Sequence, residues 1–202
     1  MDASDTPQRE RTPAAAGRGR WRWVWATLAV GTVALLAWSL LTPPAAAPHP
    51  AANTGTPLPA APLVGHLAPD VTLLDLSNNP VTLSSLRGKI VVLNFWYAAC
   101  EPCRYEMPIF ERAYHADGAR GVVVLGVNIV DDAQTTSAFV AELGIDYPIV
   151  RDRGQRAVLA YQITHTPSTF VIDRHGVIRT VVPGAISDDA TLNHYLAPLL
   201  AS

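Results

Sequence analysis

Hydrophobic and polar positions divide the chain into three stretches. The first is an apolar block at residues 23–41 (WVWATLAVGTVALLAWSLL), 19 residues without a charge. As a helix it would span about 29 Å, close to the roughly 30 Å hydrocarbon core of a bilayer. No polar face interrupts it, so an amphipathic helix of a soluble core does not account for it. Residues 42–61 (TPPAAAPHPAANTGTPLPAA) are uncharged and aperiodic, the composition of a semi-stiff, largely unstructured spacer. From Pro62 onward short apolar runs alternate with helix-period stretches, which predicts an α/β domain.

Within that domain, residues 71–76 and 80–83, split by Ser77, Asn78 and Asn79, read as a short N-terminal hairpin. Residues 90–96 (IVVLNFW) form a continuous apolar run of the kind a strand buried on both faces requires, fed by the turn at Arg87, Gly88 and Lys89. Pro102 near a helix start, with Met107, Ile109, Phe110 and Tyr114 after it, predicts a helix over residues 100–117. A second buried strand at 122–127, a helix at 135–143 and a short strand at 147–150 come next. A hairpin of 170–173 and 177–182 turns at Arg174, His175 and Gly176, and a helix at 188–200 closes the domain. The chain shows no internal repeat.

At 202 residues the chain holds one well-packed domain plus extensions. Its 49% hydrophobic and 16% charged residues exclude intrinsic disorder, although alanine and the apolar block inflate the first figure. A net charge of −2 gives no general basic field, so nucleic acid is not an expected partner. Charge does orient the apolar block. Arg9, Arg11, Arg18, Arg20 and Arg22 precede it, and no Lys or Arg occurs again before Arg87. This asymmetry places the N-terminus in the cytoplasm and exports the chain beyond the block. Trp21, Trp23, Trp25 and Trp38 fall near the two ends of the block, where indoles suit the headgroup interface. Residues 1–22 thus read as a cytoplasmic tail, 23–41 as a transmembrane signal anchor, 42–61 as a linker and 62–202 as an extracytoplasmic domain. A cleaved signal peptide ending near Ala45, Ala46 and Ala47 is the competing reading, against the length of the run and Pro48 just after it. Both readings export the domain.

The two cysteines are Cys100 and Cys103, too close in sequence to staple distant parts of a fold. They fall where a buried strand ends and a helix begins. Residues i and i+3 share a helix face, so the sulfurs can close a small disulfide ring at the first turn. The first sulfur lies near unpaired N–H groups and the positive end of the helix dipole, which favour its thiolate. Cys100 is therefore the expected nucleophile and Cys103 the resolving thiol. Half a zinc site is the other use of such a pair, but there is no second Cys pair and the six histidines are scattered. Neither metal nor cofactor is expected.

Beyond the pair, the chain resembles the TlpA/ResA-like thioredoxins, membrane-tethered thiol oxidoreductases of bacteria. Ala68-Pro69-Asp70, residues 83–89 (LSSLRGK), Asn94-Phe95-Trp96, residues 100–108 (CEPCRYEMP), Val127-Asn128, Tyr147-Pro148 and Thr166-Pro167-Ser168-Thr169-Phe170 leading to Ile172-Asp173 carry the resemblance. It implies a thioredoxin fold, a central mixed sheet flanked by helices with an N-terminal β-hairpin. It also implies a cis bond between Thr166 and Pro167, with Pro167 beside the cysteines and the Thr166 backbone free to pair with a substrate peptide. Trp96 and Thr166 become the expected substrate contacts. Glu106, three residues beyond Cys103, becomes an acid–base or thiol-tuning group. Asn94 fits this role, since thioredoxins proper place there a buried aspartate that takes a proton, which an amide cannot do. By the same resemblance the electrons come from a DsbD/CcdA-like membrane protein, and the clients are exported proteins with disulfides, apocytochrome c among them. The chain departs from the family at Tyr97-Ala98-Ala99, where a tryptophan usually precedes the first cysteine; the substrate-facing rim is correspondingly smaller.

Glu101 and Glu106 oppose a nearby thiolate, which disfavours the reduced pair and predicts a reductant, with Arg104 acting the other way. Two other classes share parts of the pattern. A peroxiredoxin-like peroxidase would normally carry threonine where Tyr97 stands, and a metal-delivery or scaffold module would need a ligand beyond the pair, for which His165 is the candidate.

Overall fold

The structure is a computed structural model that describes residues 58–202. The expected tail, the membrane span at 23–41 and most of the spacer lie outside the described residues. No helix among the described residues is long and apolar enough to cross a membrane. In chain order the strands are β1 (Thr72–Asp75), β2 (Pro80–Thr82), β3 (Ile90–Trp96), β4 (Val122–Asn128), β5 (Ile149–Arg151), β6 (Ser168–Ile172) and β7 (Ile178–Pro183). The helices are α1 (Glu101–Asp117), α2 (Ala133–Leu143), α3 (Arg156–Ala160) and α4 (Asp189–Leu200).

All seven strands join one mixed sheet in the order β2-β1-β5-β4-β3-β6-β7. β3, β4 and β5 run parallel, while β6 and β1 lie antiparallel to the parallel core on either side. β3 lies inside this arrangement between β4 and β6, and each of its seven residues is buried. Its alternation divides the interior. Ile90, Val92 and Trp96 join Met107, Phe110, Phe139, Leu192 and Leu196 on the face covered by α1, α2 and α4. Val91, Leu93 and Phe95 join Val150, Tyr161 and Phe170 on the other. This two-sided burial is why the run reads as continuously apolar.

Helix boundaries follow local chemistry. Asp132 caps α2 by accepting from the Thr135 N–H at 2.7 Å, and Gly144 ends it in the left-handed conformation with φ +63. Asp188 caps α4 in the same way through the Thr191 N–H at 2.7 Å. α1 begins one residue after its expected start, because Cys100 is the cap rather than the first helical residue. The five-residue α3 is not anticipated by the pattern, being too short to show a helical period. β6 begins at Ser168, two residues before the expected 170, because Ser168 and Thr169 already pair with Phe95 and Asn94.

Candidate active site

Residues leaving the C-terminal end of β3 turn directly into the cysteine pair. Cys100 has extended backbone and caps α1, its Sγ accepting from the Cys103 N–H at 3.3 Å. Pro102 sits in the first turn, where its missing N–H costs nothing. The two sulfurs are joined in a disulfide with Cα atoms 5.3 Å apart. Cys103 is fully buried, whereas Cys100 keeps 4% of its surface exposed. Of the two cysteines, Cys100 is thus the one nearer solvent.

One turn further along α1, Glu106 points inward and is fully buried. Its Oε1 accepts from Asn94 Nδ2 at 2.7 Å, and its Oε2 accepts from the Ile186 N–H at 3.0 Å. Asn94 Nδ2 also lies 3.0 Å from Thr169 Oγ1, consistent with the pairing of Asn94 with Thr169 across β3 and β6. Burial strips water from the Glu106 carboxyl and pushes its pKa up to about 7, while the Ile186 and Asn94 donors pull in the opposite direction. Glu106 is therefore a titratable group near neutrality inside the protein, not a solvated helix residue. The Tyr147 hydroxyl is raised well above its ordinary range by burial, then by the Glu106 and Glu111 carboxylates.

The peptide bond between Thr166 and Pro167 is cis. Pro167 C=O accepts from the Gly184 N–H at 2.9 Å. Since Ser168 pairs with Phe95, this loop lies at the end of the sheet from which Trp96 leads to the cysteines. Neither backbone group of Thr166 has a hydrogen-bond partner among the described residues. His165 is exposed, with its Nδ1 3.1 Å from Thr164 Oγ1. The cluster of metal-ligating side chains among the described residues is Glu111, His115 and Asp146, which includes neither His165 nor a cysteine.

Two sequence expectations change here. Trp96, expected at the substrate-facing rim, is fully buried and stacks on Phe139 at a ring distance of 5.2 Å. It supports the site from within and makes no surface for a substrate. Gly126 of β4 permits this, since a Cβ there would come within 3.0 Å of Trp96 Nε1 and 2.6 Å of Ile149 Cδ1. Arg104, expected to favour the Cys100 thiolate, turns toward α2, where its guanidinium lies over the Phe139 ring at 4.6 Å and meets Glu142 at 2.6 Å. Its charge is largely answered there.

A model of the AhpC/TSA family matches residues 64–181. The chain belongs to the AhpC/TSA family. ResA thiol-disulfide oxidoreductase of Geobacillus kaustophilus is 36% identical over 131 residues, covering 65% of this chain and 75% of that protein. A thiol:disulfide interchange protein of the thioredoxin family from Chlorobium tepidum superimposes with a TM-score of 0.60 at 27% identity, covering 66% of this chain and 95% of that one. A secreted Mycobacterium tuberculosis disulfide oxidoreductase homologous to Escherichia coli DsbE does so with a TM-score of 0.58 at 25% identity, covering 64% and 96%. Together with the bonded Cys100–Cys103 pair, these likenesses make this AhpC/TSA-family chain a ResA-like thiol–disulfide oxidoreductase of thioredoxin-like fold.

Site residues that the sequence did not single out are Ile186, whose N–H holds Glu106, and Asp131, whose carboxylate accepts from the Ala98 N–H at 2.7 Å. Ile186 acts through its backbone, which leaves no signature in residue type. Asp131 sits just past the Val127-Asn128 strand end, and the carboxyl ends of strands are where α/β sheets place their sites.

Proposed function

We propose that the chain is a membrane-anchored reductant of disulfides in exported proteins, with the apolar block at residues 23–41 as its anchor and its domain outside the cytoplasm. Cys100 attacks a client disulfide, forming a mixed disulfide as the second client sulfur leaves. Cys103 then attacks Cys100, releasing the reduced client and closing the ring disulfide. Glu106 accepts the Cys103 proton for that second step and returns it when the pair is reduced again. The cis Thr166–Pro167 loop offers the Thr166 backbone to an extended client segment.

Direction is carried by one observation: Glu101 lies between the two cysteines in sequence and Glu106 is buried one turn beyond Cys103, while Arg104, the neighbouring cation, is engaged by Glu142. The negative charge these carboxyls carry when ionised disfavours the thiolate and holds the potential low. Equilibration with glutathione or dithiothreitol buffers should give a potential at or below about −200 mV; a value near −120 mV, that of a strong periplasmic oxidant, would overturn the reductant reading. A reductant in an oxidising compartment needs electrons from across the membrane, which a DsbD/CcdA-like donor supplies. For clients, apocytochrome c is the class proposed. In the host, a Cys103→Ser variant should hold its clients on Cys100 as mixed disulfides, c-type apocytochromes among them. A trap that recovers other exported proteins and no apocytochrome would remove the cytochrome assignment. Rapid peroxide consumption lost on Cys100→Ser would favour a peroxidase instead.

A further inference from the structure

The approach to Cys100 ends on two alanines, with no large side chain to anchor it there. Tyr97 and Ala98 are half-buried against the α1 side of the core, and Ala99 is exposed. The Cys100 N–H donates to the Tyr97 C=O at 3.1 Å, so the cysteine backbone moves with this turn. A polar tie from another element reaches the turn at its second residue: the Ala98 N–H donates to Asp131 Oδ2 at 2.7 Å. That same oxygen accepts from Asn128 Nδ2, also at 2.7 Å.

Asp131 is itself held by the sheet. Asn128, the buried last residue of β4, accepts through Oδ1 from the Asp131 N–H at 2.8 Å and the Val130 N–H at 3.3 Å. Asn128 C=O accepts from the Asp152 N–H at 2.8 Å, and the Ile129 N–H donates to Trp96 C=O at 3.1 Å. The chain of contacts therefore runs from β4 through Asn128 and Asp131 to Ala98 and, by the turn, to Cys100. An ionised acceptor makes the stronger class of hydrogen bond, suited to fixing one amide in one place.

We infer that Asp131 is a positioning residue for disulfide exchange: its carboxylate, oriented by Asn128, fixes the Ala98 amide and thereby the direction in which Cys100 Sγ is presented to a client disulfide. The inference rests on the reading that Cys100 is the attacking sulfur. In-line approach of sulfur to sulfur tolerates little displacement, and an error of about 1 Å in a reacting group can cost on the order of a hundredfold in rate. In this chain, with alanines where the family usually has tryptophan, Asp131 carries the alignment through the backbone.

Asp131 also places a negative charge beside the turn, and the charge and the hydrogen bond are separable. The test uses the full-length reduced chain in detergent, reacting with an uncharged cystine-bridged peptide by stopped flow across pH. At the high-pH plateau Cys100 is fully ionised, so the thiolate fraction drops out. What a changed thiol acidity still does to nucleophilicity is shared by Asp131→Ala and Asp131→Asn, which both remove the charge, and the difference between them reports geometry. Asp131→Ala should lower the plateau about tenfold, whereas Asp131→Asn, which keeps an acceptor for Ala98, should retain at least about a third of the wild-type value. An Asp131→Ala plateau within about threefold of wild type, or an Asp131→Asn plateau as low as that of Asp131→Ala, would overturn the inference. Independently of any variant, the Ala98 amide proton of the wild-type chain should be shifted downfield and protected from exchange; exchange at the rate of an exposed loop amide also overturns it. A Cys100→Ser control should not react. Reaction persisting there would sink the assignment of attack to Cys100, a failure distinct from that of Asp131.

Discussion

On one face of β3, Val91, Leu93 and Phe95 meet Tyr161 and Phe170, with the three aromatic rings 4.9–5.8 Å apart. The polar atom of that cluster is paired, since the Tyr161 hydroxyl donates to Pro69 C=O at 2.8 Å. On the other face the same strand presents Asn94 and Trp96, and there Asn94 Oδ1, Trp96 Nε1 and the Tyr147 hydroxyl are buried without a hydrogen-bond partner. A carboxyl is buried beside them. Each unpaired buried polar group costs about 1–3 kcal/mol, so the α1 face is poorer in stability than its composition implies. One face of the strand is scaffold. The other gives up stability to keep a titratable group one turn beyond Cys103, where the proposed mechanism calls for a proton acceptor.

The largest effect should come from the scaffold face and leave the chemistry alone. Phe95→Ala removes a fully buried ring from the Tyr161–Phe170 cluster and should cost about 3–5 kcal/mol in denaturant unfolding, with the potential of the pair unchanged in the folded protein. A shifted potential in that variant would break the separation of the two faces.

Glu106→Gln should act in the opposite sense. The Glu106 pKa rises from an ordinary 4.5 to about 7 on folding. A carboxyl shifted this way favours the fold while protonated. Its contribution is full below about pH 4.5, declines as the pH climbs, and is gone above about 7. The loss amounts to about 3 kcal/mol. Unfolding free energies of the wild type minus those of Glu106→Gln, measured between about pH 4 and 8, should fall by that amount, while the variant's exchange slows at its resolving step. A flat difference would mean that Glu106 is solvated and ordinary.

Much of this division is legible along the chain. A strand buried on both faces announces itself at residues 90–96, and the helix that begins at the cysteines is found to within one residue. Asn94 is the more instructive signal: an amide inside an apolar run must find a partner, and that partner is Glu106. Glutamate on a helix otherwise reads as solvated by type, so its burial becomes visible only through Asn94. Trp96 misleads in the opposite way, because its place next to the motif suggests a substrate surface while strand alternation sends it into the core. The docking of β1 on β5 and the supply of the Ile186 N–H to Glu106 depend on pairings across 75 or more residues, which no local pattern encodes. In the same way Arg104 reads as a cation near the pair, and only the position of α2 reveals Glu142 and Phe139 beside it.

That last contact gives the smallest expected effect and the finest test of where the chemical face ends. Arg104, Phe139 and Trp96 stack in order from the surface inward, with the guanidinium held by Glu142 through two hydrogen bonds of 2.6 and 3.4 Å. The pairing shows in both partners: the hydrogen bond to Glu142 raises the Arg104 pKa, and the hydrogen bond to Arg104 lowers that of Glu142. Both groups are solvated at their rims, so salt screens what field escapes the pair. Arg104→Ala should therefore lower the redox potential by less than about 15 mV, half of a tenfold step in the equilibrium constant. Glu142→Ala releases the guanidinium from its partner and should raise the potential by more than Arg104→Ala lowers it, because a freed cation one residue from Cys103 favours the thiolate. If Arg104→Ala instead lowered the potential by about 30 mV or more, the arginine would already be acting on the cysteines, and the boundary of the chemical face would lie at the surface of α2 rather than at Trp96.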